Sequence, residues 1–132
     1  MKRFENQVAV ISGGADGLGK GIAARIASEG CTVMLFDINE EMMQQTVSDL
    51  KKKGYIAEGI VVDVASEDSV KQGVDQVERT FGKIDVMVNA AGIVGPTAIK
   101  ITDYKTEDFD HIYGINLKRS FLMTMYIVKV ME

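Results

Sequence analysis

The sequence predicts an α/β fold with a doubly wound parallel sheet, and three observations carry that expectation. Short, almost uniformly apolar runs rich in β-branched residues recur along the chain; each is followed by a segment with apolar residues at helical spacing; and glycines punctuate most of the junctions. Strands that are apolar on both faces belong in a parallel sheet covered by helices, where neither face meets water. Right-handed crossovers then place helices on both sides of the sheet.

Residues 7–12 (Gln-Val-Ala-Val-Ile-Ser) are expected to form strand one. Helix one follows over residues 19–29, with Ile22, Ala23, Ile26 and Ala27 on one side and Gly30 placed where a left-handed residue ends a helix. Residues 32–36 (Thr-Val-Met-Leu-Phe) read as strand two. Asn39 then caps helix two, whose first turn holds Glu40 and Glu41 and whose last turn holds Lys51, Lys52 and Lys53 before Gly54. Acids at the start and cations at the end complement the helix dipole, so the lysine run is a solvated helix end, not a binding patch. Residues 60–62 give strand three. Ser66 caps helix three, with Val70, Val74, Val77 and Phe81 facing the core and Gly82 closing it. Residues 84–88 form strand four. Beyond Gly95 and Pro96, the single proline, a loop leads into a long helix opened by Thr106, Glu107 and Asp108 and running towards Glu132.

Length and composition bound the possibilities. A chain of 132 residues, 46% hydrophobic, suffices for one domain with a core and is too short for two ordinary ones, so residues 1–132 are expected to be a single domain. The charges, 15 Lys+Arg against 19 Asp+Glu, give a net −4 spread along the chain, which makes nucleic acid and membrane surfaces poor partners. No apolar run approaches the roughly 18 residues of a spanning helix, and the first seven residues lack the hydrophobic stretch of a signal peptide; a soluble cytoplasmic protein is expected. One cysteine, Cys31, and one histidine, His111, offer neither an internal disulfide nor a Cys/His metal cluster. Cys31 reads as a small buried residue at the start of strand two, and His111 as an ordinary helix residue.

The turn between strand one and helix one, Ser12-Gly13-Gly14-Ala15-Asp16-Gly17-Leu18-Gly19, lies where a doubly wound sheet of Rossmann type presents a pyrophosphate to a helix N-terminus. Gly13 and Gly17 suit a tight turn and close backbone approach, and Gly19 suits close packing of the helix on the strand. A plain strand-to-helix turn would also tolerate glycines, but their position after a strand and ahead of a helix favours a dinucleotide site. The spacing is G-x-x-x-G-x-G, not the commoner G-x-G-x-x-G. Asp37 follows strand two, 18 residues after Gly19, close to the roughly 20 expected of an acid that accepts from the adenosine ribose hydroxyls. Its carboxylate would repel a 2′-phosphate. No Lys or Arg stands at position 38 or inside the glycine turn, where Asp16 adds a further negative charge, so NAD is expected over NADP. Lys20, next to the turn, reads as a surface helix residue.

With Ser12 in the place of a threonine, this motif resembles the Thr-Gly-x-x-x-Gly-x-Gly of the short-chain dehydrogenase/reductase family, and the resemblance extends over the whole chain. Asp63-Val64 after strand three matches the acid and apolar neighbour that hold adenine in that family. Asn89-Ala90-Ala91-Gly92 after strand four resembles Asn-Asn-Ala-Gly, with Ala90 in place of the second asparagine. The resemblance implies a cofactor site formed by Ser12, Gly13, Asp16, Gly17, Leu18, Gly19, Asp37, Asp63, Val64, Asn89, Ala90 and Gly92. It further implies that Asn116, in Tyr113-Gly114-Ile115-Asn116-Leu117, is the one catalytic residue present, its carbonyl holding a proton-relaying water where the asparagine interrupts the helical ladder. A local hydrogen bond inside the helix is the alternative role for such an asparagine, and without the partner residues the sequence does not separate the two.

The family's acid/base tyrosine and the lysine that lowers its pKa lie one helical turn apart as Tyr-x-x-x-Lys. Tyr55, Tyr104, Tyr113 and Tyr126 are followed four residues on by Gly59, Asp108, Leu117 and Val130, so the pair has no match here, and neither has the active-site serine. Tyr126 and Lys129, three apart, read as ordinary helix residues. The fold is therefore expected to be C-terminally incomplete, cut off after the helix that follows strand four, with strand four left as a sheet edge. The parent activity implied is hydride transfer between NAD(H) and a small-molecule alcohol or carbonyl substrate. The alternatives are a non-catalytic dinucleotide-binding module and a reductase of carrier-bound 3-oxoacyl groups; a Tyr-x-x-x-Lys pair encoded downstream of Glu132 would exclude the module. Gly95, Pro96 and Thr97 are expected to line one edge of a substrate pocket. Phe121, Met123, Met125, Tyr126 and Met131 give the last helix a broad apolar surface suited either to the core or to pairing as a homo-oligomer, a dimer or tetramer.

Overall fold

The computed structural model describes residues 2–92 and 96–132. Gly95, expected at the edge of a substrate pocket, lies outside the described residues. The elements alternate as the sequence suggests: β1 (Val8–Ser12), α1 (Gly17–Ser28), β2 (Thr32–Asp37), α2 (Glu40–Lys52), β3 (Ala57–Val61), α3 (Glu67–Phe81), β4 (Val86–Asn89) and α4 (Thr106–Met131), with a short 3-10 turn at Ile101–Asp103. The strands form one sheet in the order β3-β2-β1-β4, every pair parallel. Stepping outward from β1 first through β2 and β3 and then, on its other side, to β4 makes the sheet doubly wound, and it puts a switch in strand order between β1 and β4.

Alternation along the strands divides the core in two. Ala9, Ile11, Val33 and Leu35 face α1 and α2, where they meet Ala23, Ile26 and Ala27 and then Met43, Val47 and Leu50. Val8, Val10, Met34 and Phe36 face the other side, against Val70, Val74 and Val77 of α3 and Leu122, Met123 and Ile127 of α4. All five residues of β1 are buried, which explains its lack of polar alternation.

The caps follow their local chemistry. Asn39 Oδ1 accepts from the Met42 amide at 3.1 Å, and Ser66 Oγ accepts from the Ser69 amide at 3.3 Å, each relieving a donor that the helix start leaves unpaired. Gly82 ends α3 in the left-handed region, φ 76°, its amide donating to the Glu78 carbonyl. Asp85 fixes the entry to β1 by accepting from the Val8 amide at 2.9 Å; that bond, with Lys83 at 3.2 Å, holds its carboxyl below the usual range.

Several boundaries differ from the sequence expectation. α1 begins at Gly17, two residues early, and β3 occupies Ala57–Val61 instead of 60–62. β4 is displaced towards its carboxyl end; Ile84 is buried outside the strand, and β4 is an edge whose three apolar residues are only part-buried. Phe81 is part-buried against the core instead of inside it. Cys31 is buried just ahead of β2, and burial pushes its thiol up to about 11, which leaves it inert as a nucleophile at neutral pH. On α4, Met123 belongs to the core whereas Phe121 and Met131 are exposed, so the apolar surface of this helix is split between the two uses.

Candidate functional site

The carboxyl ends of the four strands meet at one edge of the sheet, where open α/β sheets place their ligands. Here the chain turns sharply after β1. The Gly13 amide donates to the Phe36 carbonyl at 2.8 Å, and Gly13 adopts φ 69°. A Cβ on Gly13 would lie 2.8 Å from the Ala91 amide nitrogen, so this glycine is demanded by the loop after β4. Gly19 is tighter still: a Cβ there would stand 2.2 Å from the Gly13 carbonyl oxygen, and its absence lets the first turn of α1 close on the glycine turn. Gly17 has φ 57° and nothing within 4 Å of its Cβ position, which leaves open space beside the start of α1. The first helical bond runs from the Lys20 amide to the Asp16 carbonyl at 3.2 Å, so the amides of Gly17, Leu18 and Gly19 precede the ladder and are suited to an anion. Asp16 supplies no side-chain cap to them, and Leu18 is 83% exposed.

Ser12 ties β1 to β4 and to the loop that follows it. Its hydroxyl donates to the Val88 carbonyl at 3.4 Å and accepts from the Ala91 amide at 3.3 Å, so it shapes the site from beneath. Asn89, exposed at the end of β4, stands opposite Ser12 in the register.

Between these loops lies a cleft of about 240 Å³. Gly13, Asp37, Asp63, Val64, Ala90 and Gly92 line it, together with Phe36, Ile38, Val62, Ala91 and Arg119. The cleft therefore gathers residues from all four strand ends. Asp37 is held firmly: Oδ2 accepts from the Ala15 amide at 3.1 Å and Oδ1 from the Asn39 amide at 2.9 Å. Each carboxylate oxygen keeps a further lone pair with which to accept from a hydroxyl. Asp63 Oδ1 accepts from the Ala65 amide at 3.0 Å, and the Asp63 amide donates to Ser69 Oγ at 2.9 Å, which anchors the turn between β3 and α3. Val62 and Val64 are buried on either side of Asp63 and give the cleft an apolar lining suited to a flat ring.

Of the remaining expected residues, Ser12, Asp16, Gly17, Leu18, Gly19 and Asn89 stand around the cleft without lining it. Asn116 packs from α4 onto Gly92, where a Cβ would come within 3.3 Å of its Oδ1. The expected interruption of the helix is not seen: α4 is continuous from Thr106 to Met131 through Asn116. Buried apolar residues nearly two turns further on, Leu122 and Met123, hold this helix against the core and favour an intact ladder. Arg119 escaped the sequence reading. The available signal was a cation three and four residues before Leu122 and Met123, on the inward face of an amphipathic helix. Among the described residues, no group of His, Cys, Asp and Glu is arranged for a metal ion, and no helix is long and apolar enough to cross a membrane.

A doubly wound sheet with a glycine turn and an acid at the ends of its first two strands defines a Rossmann-type protein. Comparison with known proteins narrows the class. The family model described as short chain dehydrogenase matches residues 7–132, and the chain belongs to that family. It is 39% identical over 131 residues to the uncharacterized oxidoreductase YxbG of Bacillus subtilis, covering 99% of this chain and 48% of that protein. With cyclopentanol dehydrogenase of Comamonas testosteroni it shares 34% identity over 132 residues, all of this chain and 52% of the other. The crystal structure of NAD+-bound xylitol dehydrogenase superposes with a TM-score of 0.91 at 34% identity, over 98% of this chain and 49% of that one. The chain spans about half the length of the curated relatives it matches.

Proposed function

We propose that this chain binds NAD(H) and serves an oxidoreductase that moves a hydride between the nicotinamide ring and an alcohol or carbonyl substrate. The observation that carries the reading is the convergence in one cleft of Asp37, Asp63, Val64 and the small residues Gly13, Ala90 and Gly92, drawn from four separate strand ends. The fit to a dinucleotide rests on the chemistry of these donors and on space. The open volume beside Gly17 and the unpaired amides of α1 suit the pyrophosphate. Asp37 suits the adenosine ribose, and Asp63 between Val62 and Val64 suits an amino-bearing aromatic base. When bound, the nicotinamide supplies the hydride-transfer chemistry.

The chain's own part is to bind and orient. Asp37, fixed by two backbone amides, presents an already ordered acceptor to the ribose hydroxyls and opposes a 2′-phosphate by charge. Asn116 is the residue of this chain assigned to the reacting centre, placed against the loop that follows β4. A homo-oligomer belongs to the same reading, supported by the exposed apolar residues Phe109, Tyr113, Leu117 and Phe121, which recur every four residues along α4.

Titration of the protein with NADH and with NADPH, followed by the cofactor's own fluorescence, tests the reading; the sequence contains no tryptophan to interfere. Saturable NADH binding, tighter than that of NADPH, is expected. Tighter binding of NADPH would overturn the role given to Asp37, and binding of neither would overturn the proposal.

A further inference from the structure

Arg119 is the one cation lining the cleft among the described residues, and its setting is unusual. Its Nε is buried and has no hydrogen-bond partner among the described residues. A buried N–H without an acceptor is unfavourable, because the group has given up water and gained nothing in exchange. The arginine is held there by its helix. Leu122, Met123 and Ile127 anchor this face of α4 in the core, and Arg119, three and four residues before Leu122 and Met123 on the same face, lines the cleft.

The rest of the cleft says what would satisfy that donor. Asp37 and Asp63 make one side rich in acceptors, and their carboxylates accept from the backbone amides of Ala15, Asn39 and Ala65. Phe36, Val62 and Val64 make the remainder apolar. The complementary ligand is a flat group that offers an amino donor to a carboxylate and a ring-nitrogen acceptor to a guanidinium. An aminopurine has both. A phosphate would meet Nε favourably but would be opposed by the two carboxylates in the same small space.

Resting on the NAD reading of this cleft, we propose that Arg119 takes part in binding the adenine, its Nε donating to a ring nitrogen of the base as part of dinucleotide recognition. Two substitutions separate the donor from the charge. In Arg119→Gln the side-chain amide nitrogen occupies the position of Nε along the chain, so a donor remains while the positive charge is lost. In Arg119→Met that position becomes a methyl group of similar bulk.

The test is NADH and NADPH titration of the full protein and both variants, with thermal unfolding of each to establish that the variants fold. We expect Arg119→Met to bind NADH about fivefold to tenfold more weakly, and Arg119→Gln to stay within about threefold of the parent. Equal NADH affinity in all three proteins would overturn the proposal and make Arg119 a packing residue. Equal losses in both variants, larger for NADPH than for NADH, would overturn it in favour of a phosphate-binding charge. Failure of the unsubstituted protein to bind either cofactor would instead overturn the NAD reading on which the proposal rests. Should Arg119→Met not fold, a fall of more than about threefold in Arg119→Gln alone would still contradict the proposal.

Discussion

Single atoms decide most of this site. A methyl group on Gly19 has nowhere to go, since the Gly13 carbonyl oxygen is 2.2 Å from where it would sit and both groups are backbone-bound. Gly19→Ala is therefore expected to lower stability by about 1–3 kcal/mol and to weaken NADH binding as the first turn of α1 moves off the glycine turn; chemical denaturation and cofactor titration check the two effects. Asp37→Ala should reduce NADH affinity by about tenfold while leaving NADPH affinity level or improved, so that the ratio of the two Kd values moves towards one. An unchanged ratio in equilibrium titrations would remove Asp37 from the ribose site. At this scale the sequence was informative where a residue's chemistry is local. Asp37 could be placed by counting from the glycine turn, and Ser12 by its neighbours. Arg119 could not, because the role proposed for it rests on an unpaired nitrogen that only packing of α4 against the strand ends produces. Gly13 was legible as a glycine that matters, yet its neighbour in space, Ala91, lies too far along the chain for any spacing rule to connect them.

Helices were easier to read than strands, for a physical reason. Asn39, Ser66 and Gly82 act through contacts within four residues, and each forms the cap its type suggests. β3 begins earlier than its β-branched residues imply because Ala57, Glu58 and Gly59 are recruited by pairing with Val33, Met34 and Leu35, a long-range effect that overrides weak local preference. The first turn of α1 was hidden by its glycines, poor helix formers held in place by the turn ahead of them. The end of α1 also anchors the N-terminal segment. Glu29 accepts from Arg3 Nε at 2.5 Å and from Arg25 Nε at 3.2 Å, and the hydrogen bond from Arg3, more than any other contact, lowers its pKa from 4.5 to about 2. Because the folded value lies below the unfolded one, this stabilisation is full above the ordinary glutamate range and is lost as pH falls from about 4.5 to about 2. Arg3 and Arg25 are more than half exposed, so solvent keeps the effect modest. Thermal melts across that window should show the parent protein losing stability more steeply than Glu29→Gln; parallel curves would mean that the pairs contribute nothing.

As a whole, the molecule is a sheet with helices on both faces and a cleft at the edge where strand order switches. The double winding was legible because apolar strand runs alternate with amphipathic helices, a pattern that calls for a parallel sheet covered on both faces; the strand order β3-β2-β1-β4 was not, since local sequence does not say which strand β1 will pair with on its second side. Phe109, Tyr113, Leu117 and Phe121 form an exposed apolar row along α4, outside the core. If it joins copies of the protein, Leu117→Glu combined with Phe121→Glu will convert an oligomer to a smaller species in light-scattering measurements without loss of NADH affinity; an unchanged mass would place the oligomer contact elsewhere. The most direct test of the account as a whole is a crystal structure of the protein grown with NAD. The adenosine ribose should lie within hydrogen-bonding distance of Asp37, with the base between Val62 and Val64 near Asp63 and the pyrophosphate over the amides of Gly17 to Gly19. A dinucleotide bound away from the ends of β1 and β2, or an adenosine turned away from Asp37, would contradict it.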